Sequence, residues 1–179
     1  MMGLQDIVSA MVNLAPYHLL SYSSLLGMSL YQSFTVVKTV HRVLPRPTFI
    51  TLQGRLFPIY FQLQTFYLFL TAATFPPYGP LSLIKDRTST VLFSVAGVGA
   101  LLNFLVYGPK TGRLMIERNR KGTRDAGDNA NIEEASEEAV EALNKAFHKS
   151  HAMSIHLNLV TIAALIGYGW RLALRLKVE

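Results

Sequence analysis

Four long apolar stretches decide what this chain can fold into. A helix of about 20 apolar residues crosses the hydrocarbon core of a bilayer, and four segments of this sequence have that length and almost no charge. A membrane β-barrel would instead need many alternating segments, a pattern that the sequence does not show. We therefore predict membrane-spanning helices at 17–37, 56–75, 88–107 and 154–174.

The composition agrees with this prediction. Half of the 179 residues are hydrophobic and 16% are charged, whereas soluble domains average about 25% charged residues. The chain contains no cysteine, which excludes disulfide scaffolds, cysteine-ligated metal sites and thiol catalysis. The length favours one domain. The predicted fold is all-α, a polytopic four-helix bundle forming a single membrane domain over 1–179.

The segment 108–153, between the third and fourth predicted spans, has a helical pattern of its own. Apolar residues recur at helical spacing from Ile132 to Phe147. Asn131 stands where a helix cap would be, and acidic residues precede basic ones, which suits the helix dipole. We predict an amphipathic helix at about 131–150, which lies along the membrane surface or the loop and then continues or bends into the fourth span.

The distribution of Lys and Arg predicts the orientation, because cytosolic loops carry more of them. Twelve lie in the loops 38–55 and 108–153, and five lie on the other side. We expect both loops to be cytosolic and both termini to be outside or lumenal. The first 37 residues contain no Lys or Arg, so we expect neither a cleaved signal peptide nor a mitochondrial presequence. An endomembrane or the plasma membrane is favoured.

Histidines are the candidate ligands for a cofactor. His18 lies at the outer end of the first span, and His148 and His151 share one helical face at i, i+3. A haem or metal site could use either set. The alternative interpretation is that these are polar residues at the membrane interface, and on that interpretation we predict no cofactor.

Five polar residues within the spans are expected to bond to neighbouring helices, because amides in lipid need partners. They are Gln32, Gln62, Gln64, Asn103 and Asn158. A polar path for a substrate is the alternative interpretation. No Asp, Glu or Lys lies in the middle of a span, so an ion-coupled carrier would lack its coupling group.

A basic cluster directly follows the third span and is expected to attract anionic lipid headgroups. It comprises Arg113, Arg118, Arg120, Lys121 and Arg124. Setting the topology is the alternative role. Nucleic-acid binding would need a folded basic face with exposed aromatics, which this segment does not offer. The sequence contains none of the common catalytic motifs, so we predict a protein that is not an enzyme.

The most distinctive stretch runs from Pro45 to Phe61. We predict that Pro45 and Pro47 keep a loop extended, and that Pro58 lies in the first turn of the second span, where proline is tolerated. The stretch follows the pattern P-R-x-T-F, three residues, Q, two residues, L-F-P-x-Y-F. The residues that carry it are Pro45, Arg46, Thr48, Phe49, Gln53, Leu56, Phe57, Pro58, Tyr60 and Phe61.

This pattern resembles the signature of the transmembrane protein 205-like family, a group of small four-span membrane proteins. Further matching positions are Asn103, Pro109, Thr111, His151 and Asn158. The resemblance covers nearly the whole chain and implies the four-span fold, but no settled enzymatic activity.

Three functional hypotheses follow. The first is a non-enzymatic structural or accessory subunit of a membrane assembly, with the bilayer, anionic headgroups and other membrane subunits as partners. Under this first hypothesis, six polar side chains would form one hydrogen-bonded group, or plug, on the cytosolic side: Arg46, Gln53, Asn103, Thr111, His151 and Asn158. The second is a haem- or metal-binding redox or export protein that uses His18 or the pair His148 and His151. The third is a small-molecule exporter or its accessory.

Overall fold

The computed structural model describes residues 13–124 and 133–175, and this part of the chain consists of helices joined by short connections. The elements, in order, are α1 (Leu14–Leu30), π1 (Tyr31–Val36), α2 (Val37–Val43), α3 (Arg46–Ala73), α4 (Pro80–Lys85), α5 (Arg87–Leu102), π2 (Asn103–Tyr107), α6 (Gly108–Arg124) and α7 (Glu133–Arg175). The predicted all-α fold is confirmed for the described residues, which contain no strand.

Four long helical segments form the bundle. The first runs through α1, π1 and α2, and the third runs through α5, π2 and α6, because the junction residues keep helical backbone angles. The second and fourth are α3 and α7. Helix α3 packs against α1, α5 and α6, while α7 packs against α5 and α6 and also touches α1.

Three of these helices are long and apolar enough to cross a membrane: Arg46–Ala73, Arg87–Arg118 and Glu138–Arg175. They contain the predicted spans 88–107 and 154–174, and the predicted span 56–75 except for its last two residues. The predicted span 17–37 is also helical and uncharged, but it is not among the three, because its hydroxyl, imidazole and amide side chains lower its mean hydropathy.

The stretch around Pro45 differs from its prediction. Only Leu44 and Pro45 have extended backbones, and α3 begins at Arg46 with Pro47 in its first turn. The predicted extended loop is therefore wrong at Pro47, because the fixed φ of proline suits a helix start and its missing N–H is not needed there.

The prediction for Pro58 is also wrong. Because α3 starts ten residues before the predicted span, Pro58 lies inside the helix and not in its first turn. A proline there cannot donate to the carbonyl four residues earlier, so the carbonyl of Gly54 loses its ordinary helical partner.

The predicted amphipathic helix is not a separate element. It forms the first part of α7, which continues without a break through 43 residues to Arg175. No Gly or Pro occurs from residue 133 to 166, so nothing in the sequence ends the helix between the loop and the span. The predicted cap Asn131 lies outside the described residues.

Candidate functional site

A cavity of about 880 Å³ lies at one end of the bundle, where α2, α3, α6 and α7 meet. Its polar lining comprises His41, Arg46, Gln53, Arg118 and His151. Its aromatic lining comprises Phe49, Phe57 and Phe147. This is the end that carries the loops 38–55 and 108–153, which are predicted to be cytosolic.

Helix α3 supplies one whole wall of the cavity. Arg46, Phe49, Gln53 and Phe57 follow one another at spacings of three and four residues and line the same space, as side chains on one helical face must. Much of the distinctive sequence pattern is therefore the face of a helix. The sequence interpretation placed Arg46, Phe49 and Gln53 in a loop and only Phe57 in a span, and so missed this shared face.

The electrostatics of the cavity are one-sided. Among the described residues, its lining contains the guanidinium groups of Arg46 and Arg118, two imidazoles and no carboxylate. The guanidinium carbon of Arg118 lies 4.9 Å from the centre of the Phe147 ring, a cation–π distance. The Phe147 ring stacks on His151, with 5.4 Å between the centroids. The cavity therefore suits a negatively charged guest.

Gln53 is the most unusual residue of the cavity. Its side chain is only 2% exposed, and neither its amide nitrogen nor its amide oxygen has a hydrogen-bond partner. A buried polar group without a partner costs about 1–3 kcal/mol, so most such groups in proteins are paired. An orphan donor and an orphan acceptor therefore lie buried at the wall of a space that could hold a guest.

A smaller cavity of about 60 Å³ adjoins the first, since Phe57 and His151 line both. Thr111 also lines it, and its hydroxyl lies 2.8 Å from that of Ser150. Nearby, Asn103 donates from Nδ2 to the backbone carbonyl of Ser154 over 3.0 Å. This volume is enough for about two water molecules.

Further into the bundle, amides and hydroxyls form a buried polar cluster. Gln64 donates from Nε2 to the hydroxyl of Tyr60 at 2.9 Å and to Oδ1 of Asn158 at 3.1 Å. Tyr60 also donates to Asn158 at 2.7 Å, and Asn158 donates to Ser33 at 2.8 Å. Ser29 lies 3.3 Å from Gln64. The cluster joins the first, second and fourth long helical segments.

The predicted interhelical bonds are thus present for Gln64, Asn103 and Asn158. Gln62 is exposed on the outer surface of the bundle, and the amide nitrogen of Gln32 has no partner. The predicted single plug is wrong, because no hydrogen bond joins its six described side chains to one another. Asn103, Thr111 and Asn158 bond to other partners, while Arg46, Gln53 and His151 line the larger cavity.

His18 lies at the opposite end of the bundle, and both of its ring nitrogens form hydrogen bonds. It is 1% exposed, donates Nδ1–H to the carbonyl of Thr71 at 2.8 Å, and accepts at Nε2 from the hydroxyl of Tyr168. The rings of Phe75 and Tyr168 pack edge-on against it. Because both ring nitrogens are used, a metal could bind here only after one bond broke. No feature of the sequence indicated Tyr168 as its partner.

The pair His148 and His151 divides between two environments. His148 is exposed, whereas His151 is half-buried in the cavity. Among the side chains that the structure describes, no group of three His, Asp or Glu residues is arranged to hold a metal ion.

The other predicted residues lie around these features. Tyr60 and Phe61 are buried, Leu56 is half-buried, and Pro45, Thr48, Pro58 and Pro109 are exposed. In the predicted headgroup cluster, Arg113 and Arg120 are exposed, Arg118 lines the cavity, and the side chains of Lys121 and Arg124 fall outside the described ones.

The sequence interpretation missed an ion cluster centred on Asp86. Arg171 donates to its carboxylate at 3.1 Å, and Arg175 contacts the other oxygen. Desolvation raises the pKa of Asp86, but hydrogen bonds from Ser89 and the charge of Arg175 outweigh it and lower the pKa to about 2. One signal was available, since Asp86 is the only acidic residue between Asp6 and Glu117.

These features define an all-helical membrane protein with a basic cavity at one end of its bundle. The chain belongs to the family described as "Domain of unknown function (DUF4149)", whose model matches residues 20–120. It is 39% identical over 170 residues to "Xanthocillin biosynthesis cluster protein D" of Aspergillus fumigatus, an alignment that covers 95% of this chain and 96% of that protein. No solved structure matches the chain. The resemblance to the transmembrane protein 205-like family stays a prediction.

Proposed function

We propose that this chain is a four-span, non-enzymatic membrane protein that acts as an accessory component in the biosynthesis of a small molecule. The basic cavity is its functional site and faces the cytosol. The observation that carries this proposal is Gln53, a buried amide with neither donor nor acceptor paired, at the wall of a cavity built by four helical segments.

The exposed face of α1 supports a fourth span. Its polar residues His18, Ser21 and Ser29 are buried against the other helices. On α1 and π1 the large outward residues are apolar or aromatic, namely Tyr17, Leu19, Leu20, Tyr31 and Phe34, and the polar residues that also face outward are the small Ser23, Ser24 and Thr35. Lipid would therefore contact a mainly apolar surface although the whole segment has modest hydropathy, because interhelical packing shields the larger polar group His18 and two of the serines.

The excess of Lys and Arg in the loops 38–55 and 108–153 supports a cytosolic cavity. The same basic surface would hold anionic lipid headgroups around the mouth of the cavity. The family resemblance to small four-span membrane proteins supports the same topology.

The accessory role draws on the similar protein whose name places it in a biosynthesis cluster. The cavity offers amide, guanidinium and imidazole groups beside aromatic rings, a set suited to holding a molecule in place. Binding and delivery at the membrane surface are therefore the function that this geometry supports best.

The test is deletion of the gene in its native host, combined with purification of the protein in a gentle detergent. Deletion is expected to lower the yield of one small molecule several-fold, and the purified protein is expected to be colourless and free of stoichiometric metal. A Soret band or a bound metal would instead support the haem or metal hypothesis. Accumulation of an intermediate that the purified protein converts would show an enzyme.

A further inference from the structure

We propose that the basic cavity binds an amphipathic organic anion: a molecule with an acidic oxygen group at one end, an apolar planar body and a second polar group at the other end. Arg46 and Arg118 hold the acidic group, the aromatic residues hold the body, and Gln53 bonds to the second polar group. This inference names the ligand class of the site in the proposed function and rests on it.

The charge of the lining selects an anion. Arg46 and Arg118 line the cavity, and none of the lining residues that the structure describes is acidic. Guanidinium groups match carboxylate and phosphate oxygens in charge and geometry. A cationic guest would be repelled by these charges, and a neutral guest would gain nothing from them.

The aromatic lining selects a flat apolar body. Arg118 and His151 both lie against the ring of Phe147, so this ring is held in a fixed orientation. Phe49 is also held, since His41 meets it edge-on at 5.1 Å between centroids. Because Arg118 and His151 already cover Phe147, a planar guest would pack against the rings of Phe49 and Phe57, which also line the cavity.

Gln53 selects a second polar group. Gln53 lies at the wall of the cavity, its side chain is 2% exposed, and its amide has one unused acceptor and two unused donor hydrogens. A hydroxyl or carbonyl on the guest would satisfy part of this capacity. The cavity, at about 880 Å³, lies within the usual range of about 300–1,000 Å³ for small-molecule sites.

The test is calorimetric titration of the purified full chain in phosphatidylcholine nanodiscs, with 6-hydroxy-2-naphthoate and 2-naphthoate as probes and 2-naphthamide as the uncharged control. We expect the hydroxy acid to bind most tightly and the amide at least about tenfold more weakly than 2-naphthoate. Equal binding of all three would overturn the proposal.

Three variants assign the contacts. Arg46→Gln and Arg118→Gln should each weaken both acids about tenfold. Gln53→Leu should abolish the advantage of the hydroxy acid while raising the melting temperature of the free protein, because an orphan amide is removed. Arg55→Gln is the matched control, since Arg55 is exposed on α3 and does not line the cavity. Equal losses in Arg55→Gln and Arg118→Gln would overturn the assignment.

A competition experiment distinguishes the two possible sources of such an anion, a membrane lipid and a water-soluble acid. Displacement of the probe by lysophosphatidylglycerol but not by lysophosphatidylcholine would identify a membrane lipid. No displacement by either would identify a water-soluble acid. If no anion binds, the inferred ligand class is refuted but the proposed accessory role is not. The deletion phenotype and the absence of a bound chromophore test that role separately.

Discussion

Gln64 of α3 donates a hydrogen bond to Asn158 of α7 over 3.1 Å, although the two residues are 94 positions apart. The hydroxyl of Tyr60 lies between the same two helices and bonds to both amides. This contact ties the second long helix to the fourth within the apolar interior of the bundle, close to the smaller cavity.

Because these amides share partners, their contributions to stability should be coupled. Gln64→Leu and Asn158→Leu are each expected to lower the free energy of unfolding by about 1–2 kcal/mol. The double variant should lose at least about 0.5 kcal/mol less than the sum. Thermal or denaturant unfolding in detergent measures this. Gln62→Leu is the matched control, since Gln62 is exposed on α3, and strictly additive losses would count against a shared cluster.

Gly99 sets the close approach of α5 to α7. A Cβ at this position would lie 3.0 Å from the carbonyl oxygen of Leu157 and closer still to the hydroxyl of Thr161. Gly99→Ala is therefore expected to lower the free energy of unfolding by about 1–3 kcal/mol, because the helices must move apart.

The control for this variant is Gly27→Ala, at a helical position with no atom within 4 Å of the added methyl group. Alanine has the better helix propensity, so Gly27→Ala should cost no stability. If both variants unfolded at the same temperature, the close packing of α5 on α7 would be refuted.

The lowered pKa of the Asp86 carboxyl group predicts that the stability of the protein depends on pH. Its pKa is about 2 in the folded protein against an ordinary value of 3.8. A lowered carboxyl pKa stabilises the fold above the ordinary value, and this contribution is lost as pH falls from about 4 to about 2. Asp86→Asn keeps a helix-capping side chain but removes the charge.

At pH 7 we expect Asp86→Asn to lose about 1–2 kcal/mol of unfolding free energy. Near pH 2 the variant and the wild type should unfold alike. Melting temperatures from pH 7 to pH 2 give the comparison, with Lys85→Gln as a neighbouring charge change outside the ion cluster. A loss at pH 7 that persists at pH 2 would point to a cause other than the carboxylate charge.

The helical fold could be predicted from the sequence because apolar length and helical spacing are local signals. We predicted that the amphipathic helix either continues or bends into the fourth span, and in the structure it continues as α7. The lack of Gly and Pro from residue 133 to 166 explains why the helix does not break. The prediction of an extended loop at Pro47 was wrong because proline is compatible both with an extended loop and with the first turn of a helix.

The candidate site was only partly predictable. Arg46, Gln53 and His151 were singled out, but their shared cavity depends on α3 starting at Arg46 and not at residue 56. The partners of Gln64 and His18 lie 94 and 150 residues away. No local pattern encodes such pairings, which arise only when the helices pack.

The topology can be measured directly, because the chain has no cysteine and single cysteines can be introduced at chosen sites. We would label Asn13→Cys, Thr39→Cys and Tyr78→Cys in sealed vesicles with a membrane-impermeant maleimide. A four-span protein with a cytosolic cavity predicts labelling of Thr39→Cys from the cytosolic side, and of the other two only from the opposite side. Labelling of Asn13→Cys and Thr39→Cys from the same side would show that α1 does not cross the membrane and would contradict the proposed topology.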